Sequence, residues 1–125
     1  MTEPGGAENL AGLRILIVED EMMLAMLMED WLAMLNCQVA TASRVDEAVA
    51  LVASGHFDGA LLDVNLAGER VYPVAEALAK RDIPFIFMTG YSTDMLREDY
   101  SGHPAVRKPF QLEEIEPMMI KAFGT

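Results

Sequence analysis

At 125 residues the chain is the size of one domain, long enough to bury a core, and its single cysteine, Cys37, excludes an internal disulfide. Twenty acidic residues against nine basic ones give a net charge of −11, which argues against a nucleic-acid-binding surface and fits cationic partners or a cation site. No apolar run approaches the ~20 residues of a membrane span, and residues 1–12, with Glu3, Pro4, Gly5, Gly6 and no basic start, read as a flexible tail ahead of a folded domain over 13–125, with the cytoplasm as the expected setting.

Taken in chain order, Leu13–Val18 has the pattern of a buried strand. Glu21–Leu35 is helical, with a stripe of Leu24, Leu27, Met28, Trp31 and Leu35. Gln38–Thr41 is a short second strand. Ser43 is placed to cap a second helix, with Glu47 near its first turn, Val45, Val49 and Val52 on its apolar side, and Gly55 at its end. Phe57–Asp63 is a third strand, and Val64–Arg70 a polar loop around Gly68. Val71–Lys80 is a third helix, in which Pro73 fits only the first turn. Ile83–Met88 is a fourth strand, Tyr91–Tyr100 a weak helix at best, Ala105–Lys108 a short fifth strand, and Gln111–Phe123 the closing helix.

Strict strand–helix alternation implies an α/β fold: a doubly wound, five-stranded parallel sheet with helices on both faces. In such sheets the site lies outside the carboxyl ends of the strands. Those ends carry Glu19, Asp20 and Glu21 after the first strand, Asp63 after the third, Thr89 and Gly90 after the fourth, and Lys108 and Pro109 after the fifth. Clustered carboxylates repel one another unless a cation neutralises them. Their hard oxygens suit Mg²⁺, and a carboxylate is a competent nucleophile toward phosphorus. Phosphoryl transfer chiefly requires positioning and charge neutralisation, which Mg²⁺, Lys108 and the Thr89 hydroxyl could supply.

With Val18-Glu19-Asp20, Leu61-Leu62-Asp63-Val64-Asn65-Leu66, Met88-Thr89-Gly90 and Lys108-Pro109-Phe110 in this order, the chain resembles the receiver domains of bacterial response regulators from about Leu13 to Phe123. The resemblance implies a flavodoxin-like fold of strand order 2-1-3-4-5. It implies phosphotransfer from a histidine kinase or phosphotransfer protein to Asp63, with Asp20, Asp63 and the main-chain carbonyl of Asn65 as Mg²⁺ ligands and Glu19 acting directly or through a water. It further implies that Thr89 and Lys108 hold the phosphoryl group and that the Lys108–Pro109 bond is cis. Such a domain signals by protein contact and catalyses only its own phosphorylation and dephosphorylation. The stretch Pro84–Tyr91, together with Val71-Tyr72-Pro73-Val74-Ala75, is similar to the FATGUY subgroup of alphaproteobacterial receivers, which implies a kinase of the HWE or a related class.

Three positions depart from the common receiver pattern. Ala105 stands where most receivers carry an aromatic residue that moves with the switch threonine, Gly90 replaces the usual alanine, and Glu19 replaces the commoner aspartate. The expected switch therefore runs through Thr89, Gly90, Tyr91 and the segment after it, which offers only Met95 and Leu96 as apolar anchors and should open cheaply. Five methionines lie in the first helix; Met22 and Met26 fall off the apolar stripe and suit an adaptable partner surface. His56 and His103 read as turn residues and Cys37 as a small core residue. A dehalogenase-type phosphatase would carry its nucleophilic aspartate after the first strand in an Asp-x-Asp motif, and a flavodoxin-like cofactor binder would need a Gly/Ser/Thr phosphate loop there; Glu19-Asp20-Glu21 supplies neither. The end at Phe123-Gly124-Thr125, with no linker, favours a stand-alone receiver.

Overall fold

The structure, a computed structural model, describes residues 9–90 and 96–124. Five parallel strands form one sheet: β1 (Arg14–Val18), β2 (Gln38–Ala42), β3 (Gly59–Asp63), β6 (Phe85–Thr89) and β7 (Ala105–Arg107), in the order β2-β1-β3-β6-β7. This is the doubly wound order expected from the sequence, because the two remaining strands, β4 (Asn65–Leu66) and β5 (Glu69–Arg70), form a separate antiparallel hairpin.

Side chains alternate across each strand, so each strand feeds two cores. Leu16, Val18, Ala60, Leu62, Phe85 and Phe87 pack with the helices α2 (Val45–Ser54) and α3 (Tyr72–Lys80). Ile15, Ile17, Leu61, Ile86 and Met88 pack on the opposite face with α1 (Met22–Met34) and α4 (Leu112–Phe123). Burial on both faces is why these strands read as unbroken apolar runs. Gly59 permits the close approach of α4: a Cβ there would lie 2.6 Å from the Phe123 ring. The first turn of α4 is fixed by a reciprocal cap, in which the Gln111 main-chain N–H donates to Glu114 Oε1 at 2.8 Å and the Gln111 side chain accepts from the main chain of Glu114.

The structure departs from the sequence reading at five places. Helix α1 faces the core with Leu24, Met28, Trp31 and Leu35 as expected, but Leu27 is 44% exposed and Leu32 is fully buried in its stead. Helix α2 starts at Val45 with Arg44 at the cap position, and Ser43 instead donates its main-chain N–H to Glu47 Oε1 at 3.0 Å. Residues 9–12 do not belong to a tail. Leu10 is fully buried among Leu32, Leu35 and Phe123, its carbonyl accepts from Cys37 Sγ at 3.3 Å, and Gly12 N–H donates to the Asn36 carbonyl at 2.8 Å.

The stretch read as a polar loop after Asp63 is the β4–β5 hairpin. Its two connecting residues, Ala67 and Gly68, both take positive φ (50° and 92°), the primed-turn geometry that matches strand twist. Between β6 and β7 the described residues contain a 3-10 turn, Glu98–Tyr100, and no α-helix. This segment is better anchored than its polarity suggested. Tyr100 is 8% exposed and stacks on Tyr72 at 5.6 Å. The Arg97 N–H donates to the Tyr72 hydroxyl at 2.7 Å, and its guanidinium lies over both rings and pairs with Glu76 and Asp99. His103 stacks on Phe85 at 4.7 Å. The expected anchor Met95 lies outside the described residues.

Candidate functional site

The carboxyl ends of β1, β3, β6 and β7 meet in a cleft of about 350 Å³ lined by Glu19, Asp20, Asp63, Asn65, Thr89 and Lys108, with Glu21, Val64, Arg70 and Gly90 around them. Parallel pairing makes this possible. Val18 is in register with Leu62 and Asp63 with Met88, so the first residue beyond each strand falls on the same edge. Glu19, Asp63 and Thr89 are buried there. Lys108 Nζ donates to Glu19 Oε1 at 3.1 Å and to Asp63 Oδ2 at 3.3 Å. The Lys108–Pro109 bond is cis.

Glu19, Asp20 and Asp63 each bring a carboxylate oxygen within 4.8 Å of the other two. One ammonium does not neutralise that charge. Burial, opposed by the Glu21 amide and Lys108 and reinforced by Asp63, pushes the Glu19 carboxyl up to about 7. Burial likewise raises Asp63 despite Lys108. Burial alone would depress the Lys108 ammonium, but Asp63 and Glu19 outweigh it and hold it above its ordinary value. A site whose acids resist ionisation when no further cation is near is chemically suited to a hard divalent ion, and three carboxylate oxygens with room for water fit Mg²⁺.

The second ring of contacts fixes these groups. The Asn65 N–H donates to Asp63 Oδ1 at 3.3 Å, the Glu21 N–H to Glu19 Oε2 at 3.0 Å, and the Ala67 N–H to Asp20 Oδ2 at 3.0 Å. The Thr89 hydroxyl faces the Val106 carbonyl at 3.5 Å, a contact at the limit of a hydrogen bond, so it is available to a better acceptor in the cleft.

Of the residues singled out in the sequence, Glu19, Asp20, Asp63, Asn65, Thr89, Gly90 and Lys108 line one cleft. Ala105 does not: it is half-buried beside Phe87 and packs against the core cluster that contains Tyr100. Tyr91 lies outside the described residues. Met22 and Met26 are 74% and 56% exposed and border an adjoining depression with Glu19 and Asp20. Met23 beside them is 82% exposed as well. Sequence reasoning missed Arg70 and the Ala67 amide, both of which reach the site through the hairpin. Gly68 marks a turn, but the flanking pairs Asn65-Leu66 and Glu69-Arg70 are too short to show alternation.

Residues 15–119 match the family model of the response regulator receiver domain. The chain is 33% identical over 118 residues to the transcriptional regulatory protein TcrA of Mycobacterium tuberculosis, a match that covers 90% of this chain and 47% of TcrA. The chain thus spans about half the length of that relative. The solution structure of SdrG from Sphingomonas melonis Fr1 is 42% identical with a TM-score of 0.77, over 91% of this chain and 98% of that one. The BeF3-activated conformation of SdrG, from Pseudomonas melonis Fr1, is 44% identical with a TM-score of 0.75, over 87% and 94%. The receiver domain of sensor histidine kinase PA1611 from Pseudomonas aeruginosa PAO1, with a magnesium ion coordinated in its active site cleft, shares the fold at a TM-score of 0.76 and 23% identity, over 92% and 100%.

Proposed function

Because the chain belongs to the response regulator receiver domain family, we propose that it accepts a phosphoryl group on Asp63 from the phosphohistidine of a histidine kinase or phosphotransfer protein and signals through protein contact. The observation that carries this reading is the Lys108 ammonium between Glu19 and Asp63, in a cleft where three carboxylates converge. An Asp63 Oδ attacks phosphorus, the P–O bond forms as the P–N bond breaks, and the imidazole nitrogen leaves with the electron pair and takes a proton from solvent. Lys108 neutralises the phosphoryl oxygens, and the Thr89 hydroxyl exchanges the Val106 carbonyl for one of them. Asp20, Asp63 and the Asn65 carbonyl hold Mg²⁺, with Glu19 acting directly or through a water. The bound ion supplies Lewis-acid charge for the transferring group. SdrG supports this reading, since BeF3 is an anion of phosphoryl shape and charge.

The resemblance to the FATGUY subgroup points to a kinase of the HWE or a related class. The exposed Met22 and Met26, beside the cleft, are the surface on which the donor's helices rest. Thr89, Gly90 and Tyr91 form the switch. Incubation with Mg²⁺ and acetyl phosphate, followed by intact mass measurement, tests the assignment. The wild type should gain one phosphoryl group and Asp63→Asn none; an undiminished adduct on the variant would remove Asp63 from this role.

A further inference from the structure

Lys108 is not the only cation lining the cleft: Arg70 lines it as well. Its position is set by a short, well-defined piece of backbone. Arg70 is the direct antiparallel partner of Asn65, which places the two Cβ atoms about 4.5–5.5 Å apart on one face of the hairpin. Asn65 in turn donates its amide to Asp63 Oδ1. The hairpin is tied down on both sides. Its turn amide at Ala67 is bound to Asp20, Val71 N–H donates to the Val64 carbonyl at 3.0 Å, and Leu66 and Val71 are buried.

Arg44, Arg97 and Lys108 make ion pairs; Arg70, like Arg14 and Arg81, makes none among the described residues, but it alone of these three lines the cleft. An unpaired guanidinium, on an exposed side chain carried by an anchored hairpin at the rim of a cleft already crowded with carboxylates, raises the question of which anion it serves. Its five donors in a fixed fork match the oxygens of a phosphoryl group.

We propose that Arg70 is a second phosphoryl-binding residue, which draws the phosphodonor to the cleft and holds an outer oxygen of the group transferred to Asp63. The proposal rests on the phosphoacceptor reading above and adds a binding role to it. The charge arithmetic gives a signature that damage to the hairpin would not reproduce. Before transfer the guanidinium repels Mg²⁺; during and after transfer it attracts the phosphoryl oxygens. Its removal should therefore move the two affinities in opposite directions.

The test uses the full chain and compares wild type, Arg70→Gln and Arg70→Lys. Mg²⁺ affinity is measured calorimetrically on the unphosphorylated protein, and the rate of phosphorylation by acetyl phosphate is measured at saturating Mg²⁺. Arg70→Gln should bind Mg²⁺ about threefold more tightly and react about threefold to tenfold more slowly, with both differences shrinking in high salt. Arg70→Lys should keep the Mg²⁺ affinity of the wild type and recover part of the rate. An unchanged rate in Arg70→Gln, or a fall in rate and Mg²⁺ affinity together, would overturn the role of Arg70 while a phosphorylated wild type leaves Asp63 in place. A wild type that takes no phosphoryl group would overturn the phosphoacceptor reading, and this one with it.

Discussion

The Asp20 carboxylate accepts a hydrogen bond from the main-chain amide of Ala67, at 3.0 Å and across 47 positions of sequence. One oxygen of a candidate metal ligand therefore also holds the turn of the hairpin that carries Arg70 over the cleft. Replacing Asp20 removes a repelling charge and a hydrogen bond at once. The bond is worth about 1–2 kcal/mol and the relief of repulsion is of similar size, so the two nearly cancel in stability. Asp20→Ala should stay folded, lose Mg²⁺ binding and phosphorylation, and show faster hydrogen exchange at Ala67. Retention of parental Mg²⁺ affinity in a calorimetric titration would show that Asp20 is not a ligand.

The turn itself offers two substitutions of opposite sign. Ala67 pays for a left-handed backbone that glycine would adopt freely, at about 1–2 kcal/mol, partly offset by the larger unfolded-state entropy of glycine. Ala67→Gly should raise stability by about 0.5 kcal/mol, and Gly68→Ala should lower it by about 1 kcal/mol although its Cβ would meet open space. Urea denaturation of both variants checks the pair; a Gly68→Ala protein as stable as the parent would contradict the strain argument.

Stability should also fall as pH rises when divalent ions are removed. Glu19 titrates near 7 in the folded protein, against an ordinary value of 4.5. Between these values the folded state keeps a proton that the unfolded state has released, so the stabilising contribution is full below about 4.5 and gone above about 7. The shift corresponds to at most about 3 kcal/mol. Asp63 is shifted in the same sense. Denaturant midpoints in chelator should be higher at pH 5 than at pH 8, and Glu19→Gln should flatten the difference. Midpoints that rise with pH in the chelated wild type would contradict the burial of an unneutralised Glu19.

Met22 and Met26 separate two kinds of phosphodonor. A small donor needs only the cleft, whereas a protein donor also needs a surface beside it. Changing both residues to Glu should slow phosphotransfer from the donor kinase at least about tenfold, the scale of losing roughly 1.4 kcal/mol of interface contact. Phosphorylation by acetyl phosphate should remain at the parental rate. Equal loss with both donors, followed by mass spectrometry over time, would place the two methionines in the fold rather than at an interface.

What was legible in the sequence followed from periodicity and from chemistry at strand ends. The three central strands, β1, β3 and β6, announced themselves because they are buried on both faces, and Glu19, Asp63, Thr89 and Lys108 each stand immediately beyond or at the end of a strand. The hairpin was hidden because its strands are two residues long, too short for alternation to register. On α1 one position of the stripe, Leu27, differs because the helix is apolar nearly all round, so Leu27 and Leu32 were equally good candidates and only the fit against the sheet chose between them. Tyr100 was passed over because its neighbours Glu98, Asp99 and Ser101 are polar, and a single ring among charged residues gives no periodic signal.

That ring has a mechanical consequence. A tyrosine on a strand turns about its own side-chain bonds and leaves the main chain in place. Tyr100 rides on a 3-10 turn, and the residue that opens the turn, Arg97, is bonded through its amide to the hydroxyl of the very ring on which Tyr100 lies. Sliding the two rings apart strains the Arg97–Tyr72 hydrogen bond, and Arg97 is also paired with Glu76 on α3 at 2.9 Å. Aromatic overlap inside the molecule and charge pairing on its outside thus meet in one residue, Arg97, so a displacement of the stacked rings is felt first at the ion pair with Glu76.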